Sequence, residues 1–145
     1  MLGRLRLSLK RDEALRASRV VIGKKKLVYV LIADKRLKYP HGKSRIAYIG
    51  TTEKGVARIA QSAAGRAEEI LKLHGVTAFH VRIVTCSPRQ NVKTWFKLER
   101  GLLLCFKKHY GLVPKCNTQG KNMKETDEFD YFSRQAVNTV IDELS

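Results

Sequence analysis

The run KLVYVLI, residues 26–32, limits the fold more than any other stretch. After Lys26 it carries no charge, and its β-branched side chains favour a pleated backbone. A run with no polar face to offer water reads as a strand buried on both sides. RIAYIG, residues 45–50, is a second short apolar run, broken by Gly50. The connector DKRLKYPHGKSR holds Pro40 and Gly42, which interrupt regular structure, so the two runs are expected to form an antiparallel hairpin.

Helical spacing follows. Val56, Ile59, Ala60, Ala63, Ala67, Ile70 and Leu71 form one apolar stripe, with Thr51 or Thr52 expected as the cap and Gly75 as the stop. TAFHVRIVTC, residues 77–86, alternates as a strand does. A second helix is expected from about Asn91 to Tyr110, and a third from roughly Asp127 to Leu144. RLRLSLK, residues 4–10, alternates leucine with basic or polar residues and reads as an extra strand or a basic arm. The order predicts an α/β or α+β fold: a small mixed or antiparallel three-stranded sheet with helices and a C-terminal helix. The 145 residues suit one domain, with a motif region of about 25–120, a basic arm 1–25 and an acidic C-terminal helix 125–145.

One residue breaks the pattern of the second helix. At roughly 100° per residue, Glu99 falls about 40° from Trp95, between Phe106 and Tyr110. It is the helix's one acid and lies on its apolar face, while Lys93, Lys97, Arg100, Lys107 and Lys108 fall on the opposite side. An ionised carboxylate there needs a compensating partner: a metal ion, an arginine or a proton. Magnesium commonly takes only one or two protein carboxylates.

Charge narrows the partners. The chain carries 29 Lys and Arg against 13 Asp and Glu, a net +16. From Glu125 onward six carboxylates face one arginine, so the other 124 residues hold 28 bases and 7 acids, a net +21. That density favours a polyanion, most often nucleic acid. No apolar stretch reaches 18 residues, so no membrane span is expected. The start lacks the apolar segment of a secretory signal. Three cysteines without a C-x-x-C read as reduced thiols, and the expected location is cytoplasmic, or nucleoid or nuclear with DNA.

These elements in this order resemble the GIY-YIG nuclease family. Leu27-Val28-Tyr29 stands where that family has its first motif half, and Tyr48-Ile49-Gly50 matches the second half literally. Arg58 lies at the family's offset from that glycine, Glu99 matches its helical glutamate, and Asn117 in VPKCN matches its asparagine. Leu27 replaces the glycine of the first half, and Ser62 stands where many members carry His or Tyr. The resemblance implies a metal-dependent DNA endonuclease that hydrolyses phosphodiester bonds with one divalent cation, Mg²⁺ or Mn²⁺, on Glu99. It implies catalytic roles for Tyr29, Tyr48, Arg58, Glu99 and Asn117. With Ser62 in place, proton transfer would fall to a tyrosine, a metal-bound water or His41; Tyr48, at a strand end, is preferred. The other reading is a non-catalytic basic module that binds nucleic acid, which gains nothing from an acid inside an apolar stripe. The acidic C-terminal segment adds a third role, masking the basic body or docking a second copy or a protein partner.

Overall fold

A computed structural model describes residues 3–118 and 120–145. Its sheet is three-stranded and antiparallel, in the order β2-β1-β3: β1 (Leu27–Tyr39), β2 (Gly42–Thr52) and β3 (Phe79–Val84). Four α-helices accompany it: α1 (Val56–Leu71), α2 (Thr94–Tyr110), the single turn α3 (Glu128–Tyr131) and α4 (Arg134–Leu144). The α+β class and the C-terminal helix are as expected from the sequence.

The central strand is the one that lacked a polar face. Residues 27–33 are all buried, with β2 on one edge and β3 on the other. β1 then runs on through the charged stretch to Tyr39, where a loop was expected. The hairpin therefore turns tightly at Pro40 and His41, with Tyr39 opposite Gly42. Irregular pairing between Ile32 and Leu37 lets the strand absorb Asp34, Lys35 and Arg36 on its exposed side.

Sheet edges invite pairing with other chains unless something covers them. Here the outer edge of β2 is taken up by the segment after α2. The Cys116 amide donates to the Ala47 carbonyl (2.9 Å), and the Arg45 amide donates to that of Ser145 (3.2 Å). Tyr39 ties the same segment in: its hydroxyl donates to Ile46 O (2.7 Å) and accepts from the Lys115 amide (3.0 Å).

One face of α2 lies against the sheet, where Phe106 and Tyr110 pack on the Tyr39 ring with centroids 5.1 and 5.8 Å away. Another carries α3 and α4, with Glu128, Phe129 and Val137 packed around Gly101. The solvent side expected of α2 is thus partly covered. Arg100, placed there by spacing, donates from Nε to the Glu128 carboxylate at 2.5 Å. The expected third helix is two. Phe132 is extended, and Ser133 restarts the helix by accepting the Ala136 amide at 3.1 Å.

Other boundaries move as well. Thr51 and Thr52 end β2 and do not cap α1; Thr51 donates to Leu27 O (2.9 Å), and Gly55 precedes the helix with φ 73°. Residues 4–10 form no strand and stand exposed as an arm. The C-terminal helix buries Val137, Ile141 and Leu144 in the chain's own core. No helix among the described residues is long and apolar enough to cross a membrane.

Candidate active site

The hairpin register builds the site. Tyr29 on β1 stands opposite Gly50 on β2, and Tyr48 opposite Leu31. Side chains two apart on a strand share a face, so both phenols rise on the same side of the sheet. They lean over Gly50. A Cβ at that position would lie 2.6 Å from Cε1 of Tyr48 and 2.7 Å from the Tyr29 hydroxyl. Glycine is what lets the two rings meet, with centroids 6.0 Å apart.

Helix α1 supplies the rest of that face. The Tyr29 hydroxyl donates to Ser62 Oγ at 2.8 Å. Burial pushes the Tyr29 phenol up; the Ser62 bond opposes this, Tyr48 adds to the rise, and the Arg58 charge lowers it in part. The net shift is upward, so Tyr29 stays a neutral donor. Arg66 lays its guanidinium over the Tyr48 ring, 3.8 Å from the centroid, and donates from Nη1 to Cys116 O at 3.0 Å. Arg58, Ser62 and Arg66 are spaced i, i+4, i+8, which aligns them along one helix face. Arg58, at the open end of that row, is exposed and touches Gln61 Oε1 at 3.1 Å. Arg66 was missed in the sequence, although its spacing from Arg58 was the available signal.

Asn117 is 7% exposed and spends its amide on one residue. Oδ1 accepts from the Ile49 amide (3.0 Å), and Nδ2 donates to the Ile49 carbonyl (2.9 Å). Ile49 lies between Tyr48 and Gly50, so Asn117 fixes the backbone that carries them. It acts as a positioning residue for β2.

Glu99 is half-buried on α2. It precedes Phe106 and Tyr110 by seven and eleven residues, the spacing of one helix face, so it belongs to the sheet-facing stripe. Burial raises its carboxyl to about 7, and Arg100 opposes this only in part. Arg100 is itself committed to Glu128. Among the described residues Glu99 joins no ion pair and no hydrogen bond links it to Tyr29, Tyr48, Arg58 or Asn117. A half-buried carboxylate without an ionic partner fits a divalent cation. Such a site would use one protein carboxylate plus water, because no cluster of three or more His, Cys, Asp or Glu occurs among the described residues.

His41 does not join this face. It lies at the hairpin turn, beside Gly111. Ten residues of β1 separate that turn from Tyr29, about 30 Å at roughly 3.3 Å per residue.

No family model matches the chain, and none of the curated proteins or solved structures it was compared with matches it either.

Proposed function

We propose that this protein is a metal-dependent DNA endonuclease of the kind that the Tyr29, Tyr48-Ile49-Gly50, Arg58, Glu99 and Asn117 pattern resembles. The observation that carries the reading is the convergence of two phenols over Gly50 and, against those phenols, of Ser62 and Arg66 from one helix face, with Arg58 one turn before Ser62 on that face. A packing core has no use for this: aliphatic side chains would fill the same space without polar atoms. The net +16 adds a partner class, a polyanion.

Each residue then has a task. Arg58, exposed beside the phenols, offers a planar guanidinium that can take two oxygens of one phosphate. Tyr48, partly exposed and with the Arg66 cation over its ring face, would relay the proton of an attacking water, its oxygen taking that proton as its own hydroxyl proton passes to solvent. Tyr29 remains protonated, donates to Ser62, and keeps the second phenol at its place over Gly50. Asn117 holds Ile49, and with it the spacing of Tyr48 and Gly50. A divalent cation held by Glu99 would supply charge neutralisation at the phosphate and the leaving oxygen.

The test is conversion of supercoiled plasmid to nicked or linear DNA with Mg²⁺ and with a chelator. Metal-dependent nicking by the purified chain supports the reading. DNA binding without strand scission under either condition would leave the non-catalytic nucleic-acid-binding module as the better account.

A further inference from the structure

A second feature lies at the start of α2. Residues 86 and 88–95 line an open cleft of about 700 Å³ together with Lys26 and Glu53. Asn91 holds a left-handed backbone, φ 62°, and Arg89 bridges Val92 to shape the turn into the helix. The lining places three cations, Lys26, Arg89 and Lys93, against the single carboxylate of Glu53. None of the three forms a salt bridge among the described residues. Lys26 rests its ammonium 4.7 Å from the Trp95 ring centroid, and Arg89 stands 5.2 Å from that of Tyr131.

The helix end itself is open. Phe96 and Lys97 both donate to the Lys93 carbonyl, and no side chain caps the first turn. The amides of Thr94 and Trp95 are left without partners among the described residues. Free amides and an aligned dipole make the start of a 17-residue helix attractive to anions. An independent observation points the same way. Thr94 is only 5% exposed, yet its hydroxyl has no hydrogen-bond partner among the described residues. Every side-chain nitrogen or oxygen sealed from solvent there does have one. The Thr94 hydroxyl is therefore reached by solvent, and Thr94 lines the cleft. An unpaired hydroxyl on a buried residue, two free amides and three cations outside any salt bridge form one set of donors around one space.

We infer that this cleft is a phosphate-binding site, formed by the Thr94 hydroxyl, the Thr94 and Trp95 amides and the side chains of Lys26, Arg89 and Lys93. Its ligand is a backbone phosphate of DNA away from the bond being cut. Lys26 immediately precedes β1, and Glu53 immediately follows β2, so the cleft borders the strand ends that carry Tyr29 and Gly50. A strand crossing the phenols toward α2 would meet this second anchor. The inference rests on the nuclease reading for the identity of its ligand, not for the existence of the site.

Trp95 is the only tryptophan in the chain, so its emission reports on this cleft alone. Inorganic phosphate titrated at constant ionic strength should change that emission saturably, with matched chloride having no such effect. In heteronuclear NMR the Thr94 and Trp95 amides should shift along with it. Thr94→Val, which keeps the side-chain shape, and Lys93→Ala, at an exposed position, should each weaken phosphate roughly tenfold, the size expected for one bond to a charged group. The same variants in a Glu99→Gln background should weaken a short DNA duplex without any dependence on cleavage. Unchanged emission and unmoved amides in the parent would overturn the site, as would variants that titrate like the parent. A parent that binds phosphate here but never cuts DNA would remove the nuclease reading and leave the site standing.

Discussion

Tyr29 and Gly50 face each other across the β1–β2 ladder, and the Tyr29 phenol fills the space that a side chain at residue 50 would need. Gly50 is accordingly a spacing element. Gly50→Ala must push both rings away, because a Cβ at 2.6–2.7 Å from ring and hydroxyl atoms is too close for either to stay. Displacement of reacting groups by about 1 Å can cost on the order of 10²-fold in rate. Plasmid nicking by Gly50→Ala should fall by about that factor while circular dichroism stays native. Parent-like nicking would show that the phenols need not meet.

Asn117 acts at the same place from the other side of β2. Asn117→Ala removes both of its bonds to Ile49 and leaves two buried backbone groups unpaired, a loss of roughly 2–4 kcal/mol. The exchange rate of the Ile49 amide is the direct readout, since Asn117 Oδ1 accepts that hydrogen. Exchange should accelerate by orders of magnitude more than at Val30, in the centre of the sheet. Equal protection at Ile49 in both proteins would show that Asn117 does not hold the strand.

Buried Glu128 pairs with half-buried Arg100, and the pair has a pH signature. Burial alone would raise the Glu128 carboxyl, but the Arg100 guanidinium and the Thr126 amide and hydroxyl outweigh it and hold it at about 2, below the ordinary 4.5. The folded state therefore releases this proton more readily than the unfolded chain. The resulting stability is complete above about pH 4.5 and is lost as pH falls toward 2, a difference of about 3 kcal/mol from this group. Urea unfolding between pH 6 and pH 2.5 should show the loss in the parent. Glu128→Gln should be less stable at pH 6 and should lack this group's share of the slope. Identical pH slopes would place the pair outside the acid response.

Binding to DNA should be steeply salt-dependent. With about six phosphates contacted, affinity is expected to fall on the order of 10³-fold between 50 and 200 mM salt. Fluorescence anisotropy of a labelled duplex measures this. A flat response would mean that the net +16 of the chain does not meet the DNA backbone.

Much of the fold was legible because few arrangements satisfy a strand with two apolar faces. KLVYVLI had to be central, and Gly111, in a left-handed conformation, ended α2 where expected. What stayed hidden depends on contacts between distant residues. The stretch 34–38 looked like a loop because Asp34, Lys35, Arg36 and Lys38 are charged and exposed, while buried Leu37 resumes the ladder opposite Ser44 of β2. Arg100 looked solvated because nothing local announces that Glu128, 28 residues on, will cover it. Phe132 and Ser133 broke the last helix although the apolar spacing runs across them. Within the site, the Tyr48-Ile49-Gly50 run and Glu99 were visible as residue types. Arg66 over Tyr48, and the return of Asn117 to Ile49, depend on where the helix and the following segment dock.

Glu99 is the residue on which the proposed chemistry turns, and its replacement is the sharpest test. Removing the carboxylate proposed to hold the cation should cost several kcal/mol of transition-state stabilisation, at least about 10²-fold in rate. Glu99→Gln, assayed on supercoiled plasmid with Mg²⁺, is predicted to bind DNA as the parent does and to nick it at least about 10²-fold more slowly. A Glu99→Gln protein that nicks as fast as the parent would contradict the account.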